Sequence, residues 1–415
     1  MNSFESDLAE RLAALREQNL FREMRRVDSP QSPRIQFGDK SFLNFSSNDY
    51  LGLANHLALK EAAIRAVERF GAGSGASRLI CGSLAPFHEL ETALAQLKKT
   101  ESALAFSSGY AAAHGAITAL LGKSDIIVLD KLVHACIVDA AKLSGAKIRV
   151  FEHNDLGDLE DKLKWAAHNA DPAQNSGRRV LIVTESIFSM DGDAAPLGEI
   201  LALKEKYGAW LMVDEAHATG IFGKNGGGLI EELGLSNRVE VQMATLGKAL
   251  GAAGGCICGS RQLVDFLVNR ARPFIFSTAP VPAAAAAAKE AVRLVQTAEG
   301  KKLRQKLRSN IADFHSALER GESSSSSLAA PKPGEGGSSS SNILAAAIIP
   351  IILGDEQKAL NAAAKLREQS IFVPAIRYPS VARGAARLRV TLTAAHSGED
   401  IFCLVEALKK LDIGV

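Results

Sequence analysis

Several things are scarce or missing in this 415-residue sequence, and each absence removes a class of function. No apolar run approaches the ~18 residues that a membrane-crossing helix needs. The N-terminal stretch MNSFESDLAERLAALREQ carries acids and a helical period where a secretory leader would carry a basic start and an apolar core. The chain therefore reads as cytoplasmic, with no membrane partner. Charge of one sign is also lacking: 48 basic and 46 acidic residues are interspersed, leaving a net charge of +2. A nucleic-acid surface would need clustered lysine and arginine, so no nucleic-acid partner is expected. Cysteine is sparse and odd in number, at 81, 136, 256, 258 and 403, which suits idle thiols in a reducing compartment. Cys256 and Cys258 read as lying on one strand and facing opposite ways, which denies them a shared metal. His153 and His396 have no ligand partners at metal spacing, so no metal is expected.

Common phosphate and nucleophile motifs are missing too. There is no G-x-x-x-x-G-K-[ST], and the glycine-rich GAGSGASRLICG (71–82) follows the helical LKEAAIRAVERF instead of a strand, without dinucleotide-binding spacing. Ser189, Asp214 and His217 could be written as a hydrolase triad, but no G-x-S-x-G elbow surrounds the serine.

What is present is a long alternation of elements. Phe4, Leu8, Leu12, Leu15 and Leu20 predict a helix over residues 4–26, followed by a hairpin-like stretch through RIQFGDKSFLNFSSNDYLGL, giving an N-terminal segment of residues 1–56. From residue 57 to 285, helix-period stretches alternate with ALAF (103–106), IIVL (126–129), KIRVF (147–151), VLIVT (180–184), WLMV (210–213), VEVQMA (239–244) and GCIC (255–258). Continuous apolar strands separated by helices predict an α/β domain whose mostly parallel sheet is covered on both faces. Residues 286–415 change pattern: charged helices over 283–320, the strand ILAAAIIPIIL, a helix, then IFVPAI and RLRVTL, a smaller α+β domain. The Ser/Gly-rich residues 321–342 read as a flexible surface loop.

Sites in such sheets gather at the carboxyl ends of the strands. ALAF is followed by Ser108, Gly109 and Tyr110 at a helix start, where free backbone N–H groups suit a phosphate. IIVLD leads to His134, VLIVT to Glu185 and Ser189, WLMV to Asp214 and His217, and VEVQMA to Thr245 and Lys248. A lysine set among glycines and partly desolvated can act as a neutral amine, whose natural chemistry is a Schiff base with a carbonyl. Pyridoxal 5'-phosphate is the carbonyl cofactor that would use the rest of this set. It needs a phosphate cradle (Ser108, Gly109), a ring over its plane (His134), a carboxylate at the pyridine nitrogen (Asp214) and a donor to its ring oxygen (His217).

FSSNDYLGL (45–53), GAGSGASRLICG, FSSGYAA (106–112), TESIFSMDGD (184–193), VDEAHATG (213–220), TLGKALG (245–251) and RLRVTLTAAH (387–396) together resemble the α-oxoamine synthases, fold-type-I pyridoxal phosphate transferases, over about residues 20–410. The resemblance implies a decarboxylative condensation of an amino acid with an acyl thioester. The branch it points to joins L-alanine to pimeloyl-CoA or the pimeloyl acyl-carrier protein in biotin biosynthesis. Glycine with acetyl-CoA is the alternative within the family, and a non-catalytic fold relative is the alternative outside it. The resemblance further implies that Lys248 holds the cofactor and moves protons and that Asp214, His217, Ser189 and Glu185 surround the ring. It places Ser108, Gly109, Tyr110 and Thr245 at the phosphate. Ser277 and Thr278, in FSTAP, would reach the phosphate of a second copy, which makes a homodimer necessary. Arg22, Asn48, His134, Arg377, Ser380 and Arg389 are the implied substrate contacts; Ser380 stands where the family pattern suggests threonine.

Overall fold

The computed structural model describes residues 3–168, 179–319 and 346–411, so the Ser/Gly stretch at 321–342 lies outside the described residues. The chain divides into two compact units: Met1–Asn48, Met190–Gly192 and Lys306–Val415 form one, and Asp49–Ser189 with Asp193–Gln305 form the other. In chain order the strands are β1 (Arg34–Phe37), β2 (Lys40–Asn44), β3 (Ser102–Phe106), β4 (Ile126–Asp130), β5 (Lys147–Phe151), β6 (Val180–Glu185) and β7 (Trp210–Asp214). They continue with β8 (Val241–Thr245), β9 (Gly255–Gly259), β10 (Ile348–Gly354), β11 (Ile371–Phe372), β12 (Ala375–Ile376) and β13 (Ala386–Thr391).

The larger unit is built on one seven-stranded sheet of order β3-β9-β8-β7-β6-β4-β5. Only β9 runs against its neighbours. The other pairings are parallel, as the uninterrupted apolar runs predict. Strands β3, β4 and β9 are buried at every position, because helices such as Gly109–Leu120 and Ala135–Ser144 cover the sheet. Their alanines let helix and sheet approach closely: Ala112, Ala113, Ala116, Ala140 and Ala141 join Leu104, Ile127 and Leu181 in one core. At Gly115 a methyl group would come 2.8 Å from the Phe106 ring, so only glycine fits under that phenylalanine. Because β3 and β8 both pair antiparallel with β9, the carboxyl ends of β3, β4, β6, β7 and β8 share one edge.

The smaller unit holds two three-stranded sheets. In one, β1 and β2 form the expected hairpin and β11 adds in parallel to β2. In the other, β13 lies between β10 and β12, antiparallel to both. IFVPAI is therefore not one strand, since Val373 and Pro374 separate two short ones assigned to different sheets.

Three local expectations need correction. The first helix spans Ser3–Glu17 and does not run to residue 26. Asn19 takes a left-handed φ of 56°, which ends the helical path, and Leu20 is buried from the extended segment that follows. Cys256 and Cys258 face the same way, not opposite ways: their sulfurs lie 3.8 Å apart on β9, since residues two apart on a strand share a face. The helix Pro282–Val295, which sequence pattern joined to the smaller domain, packs on Leu57–Phe70 and Ala85–Lys98 of the larger unit.

Candidate active site

The carboxyl edge of the seven-stranded sheet gathers the predicted groups in the larger unit. Glu185 and Asp214 are direct neighbours in the register of β6 and β7, so two carboxyl groups end adjacent strands. Both are buried. Burial pushes the Asp214 carboxyl upward, opposed by the charge of Lys248 and an N–H bond from Ala216 at 2.9 Å. Burial, then the neighbouring Asp214, pushes Glu185 far above the usual carboxylate range. Glu185 Oε1 accepts the backbone N–H of His134 at 2.6 Å, so this carboxyl fixes where the histidine leaves β4. His134 caps the helix Ala135–Ser144 through Nδ1, which accepts from Cys136 N at 3.2 Å. Burial lowers its basicity, and together with the acceptor role of Nδ1 this describes a neutral ring with its proton on Nε2.

Lys248 follows β8 in a tight turn, Gly251 N–H bonding back to the Lys248 carbonyl at 2.8 Å. Its Nζ lies 2.8 Å from His217 Nε2. The other ring nitrogen of His217 lies 2.6 Å from the hydroxyl of Tyr50. Tyr50 escaped the sequence reading although FSSNDYLGL contains it: strand-end inspection finds residues that follow strands, and Tyr50 comes from a turn far along the chain. Ser189 is buried in the loop between β6 and β7.

The predicted phosphate cradle has a definite shape. Phe106 and Thr245 both pair with Gly255, so the turn after β3 and the end of β8 flank the same glycine. A Cβ on Gly255 would meet the Gly109 backbone at 2.6 Å, and one on Gly109 would meet Thr245 Cγ2 at 2.5 Å. Two glycines thus bring the N-terminus of the helix Gly109–Leu120 against Thr245. Ser108 Oγ caps that helix by accepting from Ala111 N at 3.1 Å. Thr245 Oγ1 is buried without a hydrogen-bond partner among the described residues. An orphan hydroxyl beside a twelve-residue helix N-terminus is what an incoming phosphate would satisfy. A buried carboxyl whose charge is disfavoured until a cation arrives is likewise what a pyridinium nitrogen would meet. The residues present fit pyridoxal phosphate. Tyr110 contributes backbone here; its side chain is exposed and its hydroxyl donates to Asp139 Oδ2 at 2.9 Å. Ser277 and Thr278 are exposed in the same unit.

The predicted substrate residues lie in the smaller unit. Arg389 is buried on β13 and donates to Asn48 Oδ1 at 3.1 Å and Thr391 Oγ1 at 2.9 Å. Arg377 donates to the carbonyls of Asn19 and Phe21, and Arg22 donates to the carbonyl of Tyr378 at 3.2 Å. Burial and the charge of Arg22 lower the basicity of Arg377. Among the described residues, the hydrogen bonds of both guanidiniums go to neutral carbonyl oxygens. Ser380 is exposed, its N–H bonding to the carbonyl of Arg377 at 3.0 Å.

The chain belongs to the family described as aminotransferase class I and II, which it matches over residues 40–408. Within that family its relatives are α-oxoamine synthases, as the motifs imply. It is 45% identical over 399 residues to the 8-amino-7-oxononanoate synthase of Geotalea daltonii, covering 96% of each chain. Its fold matches a serine palmitoyltransferase from S. paucimobilis with bound PLP-myriocin aldimine, at a TM-score of 0.86 and 27% identity, over 99% of this chain and 97% of that one. The 8-amino-7-oxononanoate synthase of Francisella tularensis matches at a TM-score of 0.70 and 27% identity, over 89% of this chain and 96% of that one.

Proposed function

We propose that this protein is a pyridoxal-phosphate-dependent acyltransferase of biotin biosynthesis that condenses L-alanine with a pimeloyl thioester, of CoA or of acyl-carrier protein, giving 8-amino-7-oxononanoate, carbon dioxide and the free thiol. The observation that carries the reading is Lys248 Nζ at 2.8 Å from His217, in an edge where buried Asp214 ends the adjacent strand. Kinship to curated synthases over nearly the whole chain selects the reaction.

Ser108, the N–H groups of Gly109 and Tyr110, and Thr245 would hold the cofactor's phosphate, and Asp214 would hold the proton on its pyridine nitrogen. His134, whose backbone is held by Glu185, would bear on the ring, and His217 and Ser189 would serve its ring oxygen. The bound cofactor supplies an electron sink for the carbanion chemistry at the alanine α-carbon. Lys248 would be the group that takes the alanine α-proton and later returns one to the product carbon. Arg389, with Asn48 beside it, offers a guanidinium fork to a carboxylate, and Arg22 and Arg377 offer theirs to the acyl substrate. The cytoplasm is where we place the enzyme, given its water-soluble substrates; separately, no helix among the described residues is long and apolar enough to cross a membrane.

The working form is a homodimer. Exposed Leu79, Ile80, Phe276 and Val281 cluster on two segments joined by Ala279 N–H to the Ala76 carbonyl at 3.0 Å and Ser74 Oγ to the Pro280 carbonyl at 2.5 Å. A second copy would cover this apolar surface and receive Ser277 and Thr278 at its phosphate.

The test is to incubate the purified protein with L-alanine or glycine against a panel of acyl-CoAs and to follow free thiol. Release with alanine and pimeloyl-CoA supports the reading; preference for glycine and acetyl-CoA would move the enzyme to another branch. No borohydride-trapped pyridoxyl group on Lys248 would remove it altogether.

A further inference from the structure

We propose that His153 is a positioning residue: bridging Asp130 and Asp193, it ties the turn that delivers His134 to the hairpin that carries Ser189, and so holds both at the carboxyl edge of the sheet. The proposal rests on the pyridoxal phosphate reading for its catalytic consequence, but not for its geometry.

At the end of β6 the chain folds back on itself. Ile187 bridges Ala194 in the antiparallel sense, Phe188 N–H donates to the Asp193 carbonyl at 3.0 Å, and Ala195 N–H donates to the Ser186 carbonyl at 3.1 Å. Ser189 directly follows that pairing. So short a hairpin is weak by itself, and it needs side chains to fix it. The turn that delivers His134 has the same need at the end of β4. There Asp130 closes it, Oδ1 accepting Leu132 N–H at 2.8 Å.

His153 and Asn154, just beyond β5, join the two. His153 Nδ1 lies 3.0 Å from Asp130 Oδ1, and Nε2 lies 2.7 Å from Asp193 Oδ2. Each ring nitrogen meets a carboxylate oxygen, so both donate and the ring is charged. Burial works against that charge, but the hydrogen bonds to Asp130 and Asp193 outweigh it and raise the pKa to about 10. Asn154, at a left-handed φ of 56°, donates from Nδ2 to the same Asp193 Oδ2 at 2.9 Å and to the Ala194 carbonyl at 3.3 Å. Its Nδ2 is 3.3 Å from His153 Nε2, two donors sharing one acceptor, and its backbone N–H reaches Asp130 Oδ2 at 3.0 Å. Phe188, fully buried beside Ser189, sets its ring edge-on to His153 at 4.3 Å between centroids. The nearby charges are satisfied elsewhere: Lys131 pairs with Glu152 at 2.8 Å, Asp155 accepts Asp158 N–H at 2.9 Å, and Asp191 pairs with Arg387. A neutral ring has one N–H, so loss of the proton would leave one carboxylate facing a lone pair and unfasten one side of the bridge.

The test begins with the full-length protein without added cofactor, its histidine rings labelled with 15N. The His153 signals are identified by their loss in His153→Gln or by their displacement in Asp193→Asn, which keeps the side-chain size and removes one charge. The natural ring is expected to titrate at about 10, and in Asp193→Asn at least about one pH unit lower, a tenfold change in proton affinity. In His153→Gln, amide hydrogen exchange over residues 186–195 should quicken ~10-fold while β4 and β7 keep their protection. A natural ring that titrates near ~6.5, or residues 186–195 unaltered in both variants, would overturn the assignment. Equal loss of protection across the whole sheet would overturn it too, since that is the mark of a general structural role. With pyridoxal phosphate and substrates, His153→Gln should lower kcat ~10-fold, and Asp193→Asn should lose kcat at a lower pH than the natural protein does. An unchanged pH profile in Asp193→Asn would overturn the catalytic consequence. If no pyridoxal phosphate is taken up, the functional reading fails while ring titration and hydrogen exchange still decide the role of His153.

Discussion

Two histidines, one in each unit, differ in charge because of the groups that surround them. In the smaller unit His396 stacks on Phe45, donates from Nε2 to the Asn44 carbonyl at 3.0 Å and accepts the Thr393 N–H on Nδ1 at 3.0 Å. Burial dominates over these neutral partners and pulls its pKa down to about 4. In the larger unit burial also pulls on His153, but Asp130 at 3.0 Å and Asp193 at 2.7 Å outweigh it and hold the ring protonated, with a pKa raised to about 10. The lesson extends to each unit's chemistry. The larger unit pairs titratable groups with one another: Lys98 with Glu215 at 2.7 Å, Glu185 beside Asp214, Lys248 with His217. In the smaller unit Arg22 and Arg377 donate to backbone carbonyls, and Arg389 donates to Asn48 and Thr391, whereas Arg387 pairs with Asp191 at 2.6 Å.

The contrast can be broken most directly at Lys248. Lys248→Ala is expected to reduce thiol release by ~10⁴-fold or more, since it removes the amine proposed to hold the carbonyl cofactor, while Tm changes little. Full activity in that variant would end this division of labour. Next in size is the buried pair below the site. Lys98 also donates to Thr219 Oγ1 at 2.6 Å, and Glu215 accepts Ile230 N at 2.9 Å. Lys98→Met leaves Glu215 buried and uncompensated and should cost about 3–5 kcal/mol in urea unfolding. Adding Glu215→Gln keeps the acceptor, removes the stranded charge and should restore much of the loss. Equal instability of the single and double variants would show that packing, not charge pairing, is at stake.

The histidines give the third test. His396 has a folded pKa of about 4, below the unfolded value of ~6.5, so the unfolded chain takes the proton first as pH falls. Stability should therefore fall by up to about 3 kcal/mol between pH 6.5 and 4, and His396→Gln should flatten that limb. His153 is shifted the other way, so its contribution is fully present below ~6.5 and is lost as pH rises toward about 10. His153→Gln should flatten the alkaline limb of the same denaturation series. Acid and alkaline limbs that ignore these substitutions would erase the contrast. The smallest effect is expected at a fixed cation: Arg377→Ala should raise KM for the acyl thioester ~10-fold, worth about 1.4 kcal/mol, with kcat within a few-fold.

Much of the larger unit was legible because a parallel sheet buried on both faces must be written as continuous apolar strands, and the polar groups after those strands can reach only one edge. Lys248, Asp214, His217, His134 and Glu185 were found that way. The first helix was overextended because Leu20 keeps the apolar period while Asn19 breaks the backbone path. Tyr50 was missed because nothing local marks it: its partner is 167 positions away. The role of Glu185 as an anchor for the His134 amide was equally invisible, since backbone acceptors leave no trace in residue type.

By itself, then, the sequence determined the alternation of strands and helices and the sheet edge where the polar groups collect, because burial and periodicity are written in residue type. Tertiary structure alone decided which nitrogen of His217 meets Lys248, which hydroxyl stays unpaired beside a helix end and which histidine keeps its proton. Those outcomes depend on separations of about 3 Å between groups distant in the chain, where one hydrogen bond or one neighbouring charge shifts the balance.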